Sequence, residues 1–330
     1  MEKGTILIAS SSESSQEYKP VVEKLESNGH AVVVYNSDLV IKGKENFYLG
    51  ISPNGSLGIN YEGHSIEPES VSAAWFRKVS NFSFEDRTDD KALQIMVHEE
   101  VDDFHRTIWS LYPEDTWLNS PSRMQAASSK LMQLLVANQV GFSIPETVLS
   151  NSWESIGQKL FSDEGYRQII VKMIRGVIVM DNEAKALPTT VLNEESVSKL
   201  KELATAFPGI YQPFIPKARE WRVTVVGDDV FPVAIYSDAS AKDDWRIHQQ
   251  TEAIRFSAEE LPEAEQAMCI EFLDKMQLGF GAFDFIETPE GEVVFLECNA
   301  NGQYYWLENQ LGIPVSSSIA KRLMTISDES

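Results

Sequence analysis

The sequence predicts a mixed architecture: a parallel α/β region in the N-terminal third, then an α+β region built on antiparallel hairpins. Three observations predict it. The chain opens with an apolar run over 5–10, an amphipathic helical pattern over 16–29 and a second apolar run over 31–35. That β-α-β order feeds a parallel sheet. Two hairpin signals come much later: residues 222–226 and 230–235 flank Gly227-Asp228-Asp229, and residues 282–287 and 293–297 flank Thr288-Pro289-Glu290-Gly291. Turn residues between two apolar runs join antiparallel strands. Between these regions Pro113, Asn119-Ser120 and Pro121 break the chain and mark a subdomain boundary.

The elements follow in order. The first helix stops at Asn28-Gly29, because glycine takes the left-handed backbone that ends a helix. Alternation around 57–61 and the run 71–76 add strands. Residues 89–111 carry Val97, Val101, Phe104 and Ile108 at helical spacing, so these fall on one face. Residues 122–140 read as one helix closed by Gly141, and Ile144-Pro145 starts an extended segment, since a residue before proline is driven from the helical region. Residues 169–173 form a β-branched strand carrying Lys172, and residues 210–215 form another, interrupted by Pro213. The polar segment 237–251 reads as an active-site loop, and residues 259–278 are helical.

The chain has 330 residues, of which 43% are hydrophobic, ample for a packed core and long for one small domain. The N-terminus reads as a first strand rather than a signal peptide. No stretch approaches the ~20 consecutive apolar residues needed to span a bilayer. The two cysteines, Cys269 and Cys298, suggest no disulfide framework and read as reduced, partly buried thiols. Together these features point to the cytoplasm, with no membrane association. A net charge of −22 argues against a broad nucleic-acid interface, which wants a basic face. The acidic runs at 85–103 and 259–271 read as solvated helix faces.

The most informative segment runs from Gly281 to Asn299. In a strand, residues i and i+2 share a face, so Glu297 and Asn299 point the same way. Asp284, on the partner strand, can face them. Two carboxylates and an amide oxygen make a hard-oxygen site suited to magnesium held with nucleotide phosphates. The alternative is a set of solvated polar residues on an amphipathic strand. Glu297 directly follows the apolar run Val293-Val294-Phe295-Leu296, where a carboxylate is costly to bury without a partner. That favours the metal.

Lys172 stands alone after Ile169-Ile170-Val171; it either snorkels outward or meets an anion such as a phosphate. Lys130, after Ser128-Ser129, is a helix lysine with the same two options. Glu220 and Arg222 share a strand face. There Glu220 could accept from ribose hydroxyls and Arg222 could clamp a phosphate or carboxylate through its planar fork. Trp245-Arg246 lies in the polar segment and reads as part of that active-site loop or as a surface ion pair with an anchoring tryptophan. The first β-α turn lacks G-x-G-x-x-G, and G-x-S-x-G, H-E-x-x-H and G-x-x-x-x-G-K-[ST] are absent.

These pieces, in this order, resemble the ATP-grasp superfamily over essentially the whole chain. Within it the sequence looks most like the macrocyclases that make microviridin-like, ω-ester- or ω-amide-linked peptides (graspetides). Trp75-Phe76-Arg77-Lys78 is similar to that family's Trp-Tyr-Arg-Arg signature. Leu118-Asn119-Ser120-Pro121, Ala127 to Leu134 and Gly141 to Thr147 match its central pattern. Phe295-Leu296-Glu297-Cys298-Asn299-Ala300-Asn301-Gly302-Gln303-Tyr304-Tyr305-Trp306 resembles its most specific block.

The resemblance implies an ATP-grasp fold with an N-terminal parallel α/β subdomain over 1–117, a central subdomain over 118–210 and a C-terminal antiparallel subdomain over 211–330. It implies that Lys130 and Lys172 contact ATP phosphates. Residues 211–215, with Gln212, Phe214 and Ile215, would form the strand whose backbone reads adenine, and Glu220 would hold ribose. Asp284, Glu297 and Asn299 would bind Mg2+. Arg222 and Arg246 would bind the γ-phosphate, the acyl phosphate or a peptide carboxylate. Glu308, Asp243 and His248 are candidate general bases. The implied activity is ATP-dependent activation of Glu or Asp side chains in a ribosomal precursor peptide, leader plus core, with ester or amide closure onto Thr, Ser or Lys. A homodimer is the implied assembly. Two alternatives stand beside it: a ligase adding an amino acid to a peptide or protein end, and a non-catalytic peptide-binding module.

Overall fold

The computed structural model describes residues 4–77, 89–160, 168–172, 174, 177–180, 183–186, 190–192, 208–238 and 253–330. The β-α-β opening is β1 (Thr5–Ser10), α1 (Ser15–Ser27) and β2 (Val32–Asn36). A short helix α2 (Ser37–Ile41) follows, then a small antiparallel sheet of β3 (Phe47–Ile51), β4 (Leu57–Tyr61) and β5 (His64–Ser65). With β6 (Val71–Phe76) the first strands form a parallel sheet in the order β2-β1-β6. Its two faces are read off alternate residues: Ile6 and Ile8 enter one apolar cluster, Leu7 and Ala9 another, as a strand period of two requires.

Helix α3 (Lys91–Ser110) covers the second face. Its N-cap is Asp90, whose carboxylate accepts from the backbone N–H groups of Ala92 and Leu93. Ile108, Trp109 and His105 are its buried residues, with Phe104 packed beside them. The acidic residues of this helix, Glu99, Glu100, Asp102 and Asp103, are exposed as expected.

Residues 122–140 are not one helix. The expected helix is split into α4 (Pro121–Ala127) and α5 (Lys130–Val140). Ser128 caps the first, and Ser129 leaves the helical region at φ −73°, ψ 104° to start the second. The break has a consequence: Lys130 becomes the first residue of a new helix. Gly141 ends α5 at φ 103°, the left-handed C-cap expected.

The middle of the chain holds β7 (Val148–Ser150), α6 (Trp153–Leu160), β8 (Ile169–Lys172), β9 (Val177–Met180), β10 (Glu183–Ala186), β11 (Thr190–Leu192) and β12 (Gly209–Pro213). Four of these strands form a sheet in the order β11-β8-β12-β7, and β9 pairs with β10. The strand expected over 210–215 stops at Pro213, which has no backbone N–H of its own to donate to the ladder. Phe214 and Ile215 therefore lie just beyond it.

Both predicted hairpins form. Strands β13 (Arg219–Val226) and β14 (Asp229–Ser237) turn through Gly227, and β16 (Phe280–Glu287) pairs with β17 (Val293–Asn299). With β15 (Ile254–Ala258) they make an antiparallel sheet in the order β15-β14-β13-β16-β17. The helix expected from 259 begins later, as α7 (Glu263–Met276), because Pro262 takes the N-cap position. One sheet face buries Trp221, Phe283, Phe285 and Phe295 against α5 and α7 residues including Leu134 and Phe272. Cys269 and Cys298 sit in this cluster as free thiols, and burial pushes both thiols up, keeping them protonated.

The chain ends in α8 (Tyr305–Leu311) and α9 (Val315–Glu329). The last helix packs on both sheets. Its Val315, Ile319, Leu323 and Ile326 pack with Ile6, Ile8, Val21, Leu25 and Trp75 of the N-terminal unit, and Val226 and Phe280 join the same cluster. One continuous core thus ties the parallel sheet to the antiparallel one.

Candidate functional site

The hairpin β16–β17 builds the centre of the site through an irregularity. Asp284 pairs with Glu297, but the next pair is Phe285 with Phe295, so Leu296 is an extra residue on β17. This is a β-bulge, which re-aims the side chains that follow. Val293 and Phe295 face the core, and strict alternation would send Glu297 there too. The extra residue puts Cys298 into the core instead. Glu297 is half-buried and Asn299 exposed, both on the opposite face with Asp284.

Strand β13 adds the cation. Arg222 pairs with Asp284 in register, and Asp284 with Glu297, so the three side chains lie in one row across three strands. Arg222 Nη1 donates to Asp284 Oδ1 at 2.9 Å, and Nη2 donates to the Gln303 carbonyl at 3.3 Å. Arg222 and Asp284 are 8% and 5% exposed, so each supplies the counter-charge the other needs at that depth. Lys130, at the start of α5, reaches Glu297 Oε2 at 3.6 Å. A cavity of 330 Å³ is lined by Lys130, Glu297 and Asn299.

Two buried amides hold this arrangement, and sequence reading gave neither a role. Gln133 Nε2 donates to the carbonyls of Ala127 and Cys298 at 2.6 and 2.8 Å, while its Oε1 accepts from Cys298 N at 2.9 Å. It fastens α5 to β17, one helical turn from Lys130. Asn119 Nδ2 donates to the carbonyls of Phe280 and Ala300, both at 2.8 Å, and Oδ1 accepts from Gly279 N and Phe280 N at 2.7 and 3.1 Å. Gly302 is a third unforeseen contributor. A Cβ there would stand 2.3 Å from Ala282 Cβ and 2.9 Å from Arg222 Nη2, so the backbone needs glycine to approach this closely. The available signal was that all three fall within the conspicuous sequence blocks.

The remaining predicted residues lie elsewhere in the fold. Lys172 ends β8, opposite Ile210 of β12. Gln212 is buried on β12; its Nε2 donates to Thr147 Oγ1 at 2.9 Å, while its Oε1 has no partner among the described residues. The Phe214 N–H donates to the Gln168 carbonyl at 3.0 Å, and the residue is 37% exposed. Glu220 shares the Arg222 face as expected. It is paired with Lys217 and lines a cavity of 340 Å³ with Lys217, Arg219 and Ile235. Arg246, Trp245, Asp243 and His248 lie outside the described residues. Glu308 plays a structural part, because its Oε2 accepts from Ser316 N and Ser316 Oγ at 2.7 and 2.8 Å, at the start of α9. A separate cavity of 640 Å³, lined by Trp109, Trp117, Tyr112 and Glu114 among others, contains none of the predicted site residues.

The donor set fits a hard divalent cation. Asp284, Glu297 and Asn299 offer oxygen only, from adjacent strands on one face, the ligand chemistry magnesium takes when phosphates complete its shell. Among the described residues no group of three His, Cys, Asp or Glu side chains is placed to hold a metal.

Comparison with known proteins bears on the family and the fold. Residues 127–323 match the RimK-like ATP-grasp domain. The chain is similar to a Chryseobacterium gregarium RiPP-associated ATP-grasp ligase solved with ADP and a leader and core peptide: 29% identity, 99% and 97% of the two chains covered, TM-score 0.84. It is also similar to the macrocyclase MdnC of Microcystis aeruginosa MRC, solved with the precursor peptide MdnA: 27% identity, 97% and 98% covered, TM-score 0.82. D-alanyl-alanine synthetase A of Vibrio cholerae shares the fold at 15% identity, with 99% of each chain covered and a TM-score of 0.62. No curated protein matches the sequence. Among the described residues no helix is long and apolar enough to cross a membrane.

Proposed function

The chain belongs to the RimK-like ATP-grasp family, and from that premise we propose that it is an ATP-dependent peptide macrocyclase. It activates Glu or Asp side chains of a precursor peptide as acyl phosphates and links them to Thr, Ser or Lys of the same peptide. The observation that carries this reading is the row Arg222–Asp284–Glu297, with Lys130 and Asn299 beside it. Cationic side chains able to meet phosphate oxygens stand there beside oxygen donors able to hold a cation, which supports the reading. The similarity to a ligase solved with ADP and a leader and core peptide, and to a macrocyclase solved with its precursor peptide, supports the peptide as substrate. The partner is a peptide with leader and core, the assembly a homodimer and the compartment the cytoplasm.

In this reading a substrate carboxylate oxygen attacks the γ-phosphorus of ATP, and the bond to the β-phosphate oxygen breaks to release ADP. A hydroxyl or amine of the peptide then attacks the acyl carbon. Phosphate leaves, and the nucleophile's proton passes to solvent or to the departing phosphate. Asp284, Glu297 and Asn299 would hold Mg2+, which when bound neutralises charge on the phosphate oxygens. Arg222, held by Asp284 and the Gln303 carbonyl, would offer its remaining N–H donors to the transferred group from a buried position, where its charge is least screened. Lys130 balances Glu297 and offers a second cation to the phosphates. Lys172, Arg246, Glu220, Gln212, Phe214 and Ile215 complete the nucleotide and phosphate contacts.

Hydroxylamine trapping tests the central step. With ATP, magnesium and an acidic peptide, the reading predicts ADP release and a hydroxamate on a peptide Glu or Asp. ADP release only with free amino acids would replace it with the terminal-ligase reading. Peptide binding without nucleotide turnover would replace it with the binding module.

A further inference from the structure

Arg77 follows β6 and is 1% exposed. Its Nη1 donates to the Asn301 carbonyl at 2.9 Å, to Asn301 Oδ1 at 2.7 Å and to the Gly302 carbonyl at 3.3 Å. Its Nη2 meets the Glu17 carboxylate, and the guanidinium lies 5.6 Å from the Tyr304 ring centroid. Glu17 supplies the counter-charge that a buried cation requires. The three contacts to residues 301 and 302 go further, because the same turn, between β17 and α8, sets two groups of the site.

The first is Asn299. Asn301 N donates to Asn299 Oδ1 at 2.9 Å, and Gly302 N donates to the Asn299 carbonyl at 3.1 Å. A backbone N–H can only donate, so it selects the amide oxygen rather than the amide nitrogen on that side. A carbonyl oxygen has two lone pairs, and the second remains available to a cation. The other group is Arg222, whose Nη2 donates to the carbonyl of Gln303 in this turn.

We propose that Arg77 is a positioning residue for the metal and phosphate site. By clamping Asn301 and Gly302 it fixes the orientation of the Asn299 amide oxygen and the direction of the Arg222 fork. The N-terminal parallel sheet thereby sets the geometry of a site built on the antiparallel one. The inference rests on the magnesium assignment made under the proposed function.

The test is a Mg2+ titration of ADP binding by calorimetry, with thermal unfolding alongside, on the full chain, Arg77→Lys and Asn301→Ala. Lysine keeps the charge but loses the fork. Asn301→Ala removes one Arg77 contact from a turn residue without touching the core. The Mg2+ concentration for half-saturation should rise about tenfold in Arg77→Lys, the scale on which partners of metal ligands act, and rise less in Asn301→Ala. Metal-free ADP affinity should be unchanged in both. An unchanged Mg2+ requirement in both variants, with only a lowered unfolding midpoint in Arg77→Lys, would make Arg77 a packing residue and overturn the proposal. If the full chain itself shows no Mg2+-assisted ADP binding, the proposed function falls along with it; if the full chain shows it and the variants match, this inference alone falls.

Discussion

Arg222 and Asp284 stand opposite each other on neighbouring strands, joined by a buried 2.9 Å contact. The pair ties fold and site together, and the next residue in the row, Glu297, does not share that double duty. Removing one partner of a buried ion pair costs about 3–5 kcal/mol, because the other charge is stranded. Asp284→Ala should therefore lose both activity and stability. Glu297 is half-exposed beside Lys130, an interaction solvent screens strongly. Glu297→Ala should keep the wild-type unfolding midpoint while turnover falls by about 10²-fold or more, the scale of losing one electrostatic transition-state contact. Parallel thermal melts and ADP-release assays separate the two outcomes.

Gly302 is where backbone meets active-site side chain. An alanine Cβ would overlap Ala282 and crowd Arg222 Nη2. Gly302→Ala should cost about 1–3 kcal/mol from overpacking and lower turnover by displacing the Arg222 fork. Chemical denaturation and kcat should move together; a loss of stability with unchanged kcat would detach Gly302 from the chemistry.

Asn119 satisfies two carbonyls and two N–H groups with one side chain. Asn119→Ala strands buried groups at about 1–3 kcal/mol each, although Gly279 N keeps its bond to the Leu118 carbonyl. We expect a lower midpoint in urea at an unchanged m-value, the signature of lost stability without a change in compactness.

His105 gives stability a pH dependence. Burial lowers its pKa from 6.5 to about 4, and the ring contacts the Tyr35 hydroxyl at 3.3 Å. Between those values the unfolded chain binds the extra proton. The contribution is therefore complete above pH 6.5 and is lost as pH falls toward 4, at up to about 1.4 kcal/mol per pH unit. Urea unfolding across this range should show a shallower pH slope in His105→Gln than in the wild type. Equal slopes would assign the dependence to other groups.

Much of this was legible in the sequence because it is local. The two hairpins announce themselves through Gly227 and the Thr288–Gly291 turn, and the sharing of a face by Glu220 and Arg222 follows from strand periodicity alone. Glu297 and Asn299 were also placed together by i, i+2 spacing. What the spacing could not reveal is the bulge at Leu296 that turns Glu297 out of the core, because a bulge is a property of the pairing between strands. The split of 122–140 at Ser128–Ser129 was missed for a related reason: two serines are tolerated inside a helix, and only the docking of Gln133 on Cys298 makes the break useful. Arg77 and Asn301 are 224 positions apart, and no local pattern reports a contact that long.

Ring closure itself is read most simply by intact-mass spectrometry of an acidic precursor peptide bearing Thr, Ser or Lys acceptors, incubated with the protein, ATP and magnesium. A macrocyclase should remove the mass of one water for each ring closed, in steps that depend on ATP and are absent with Glu297→Ala. ATP turnover that leaves the peptide mass unchanged while joining some other carboxylate to an amine would contradict it.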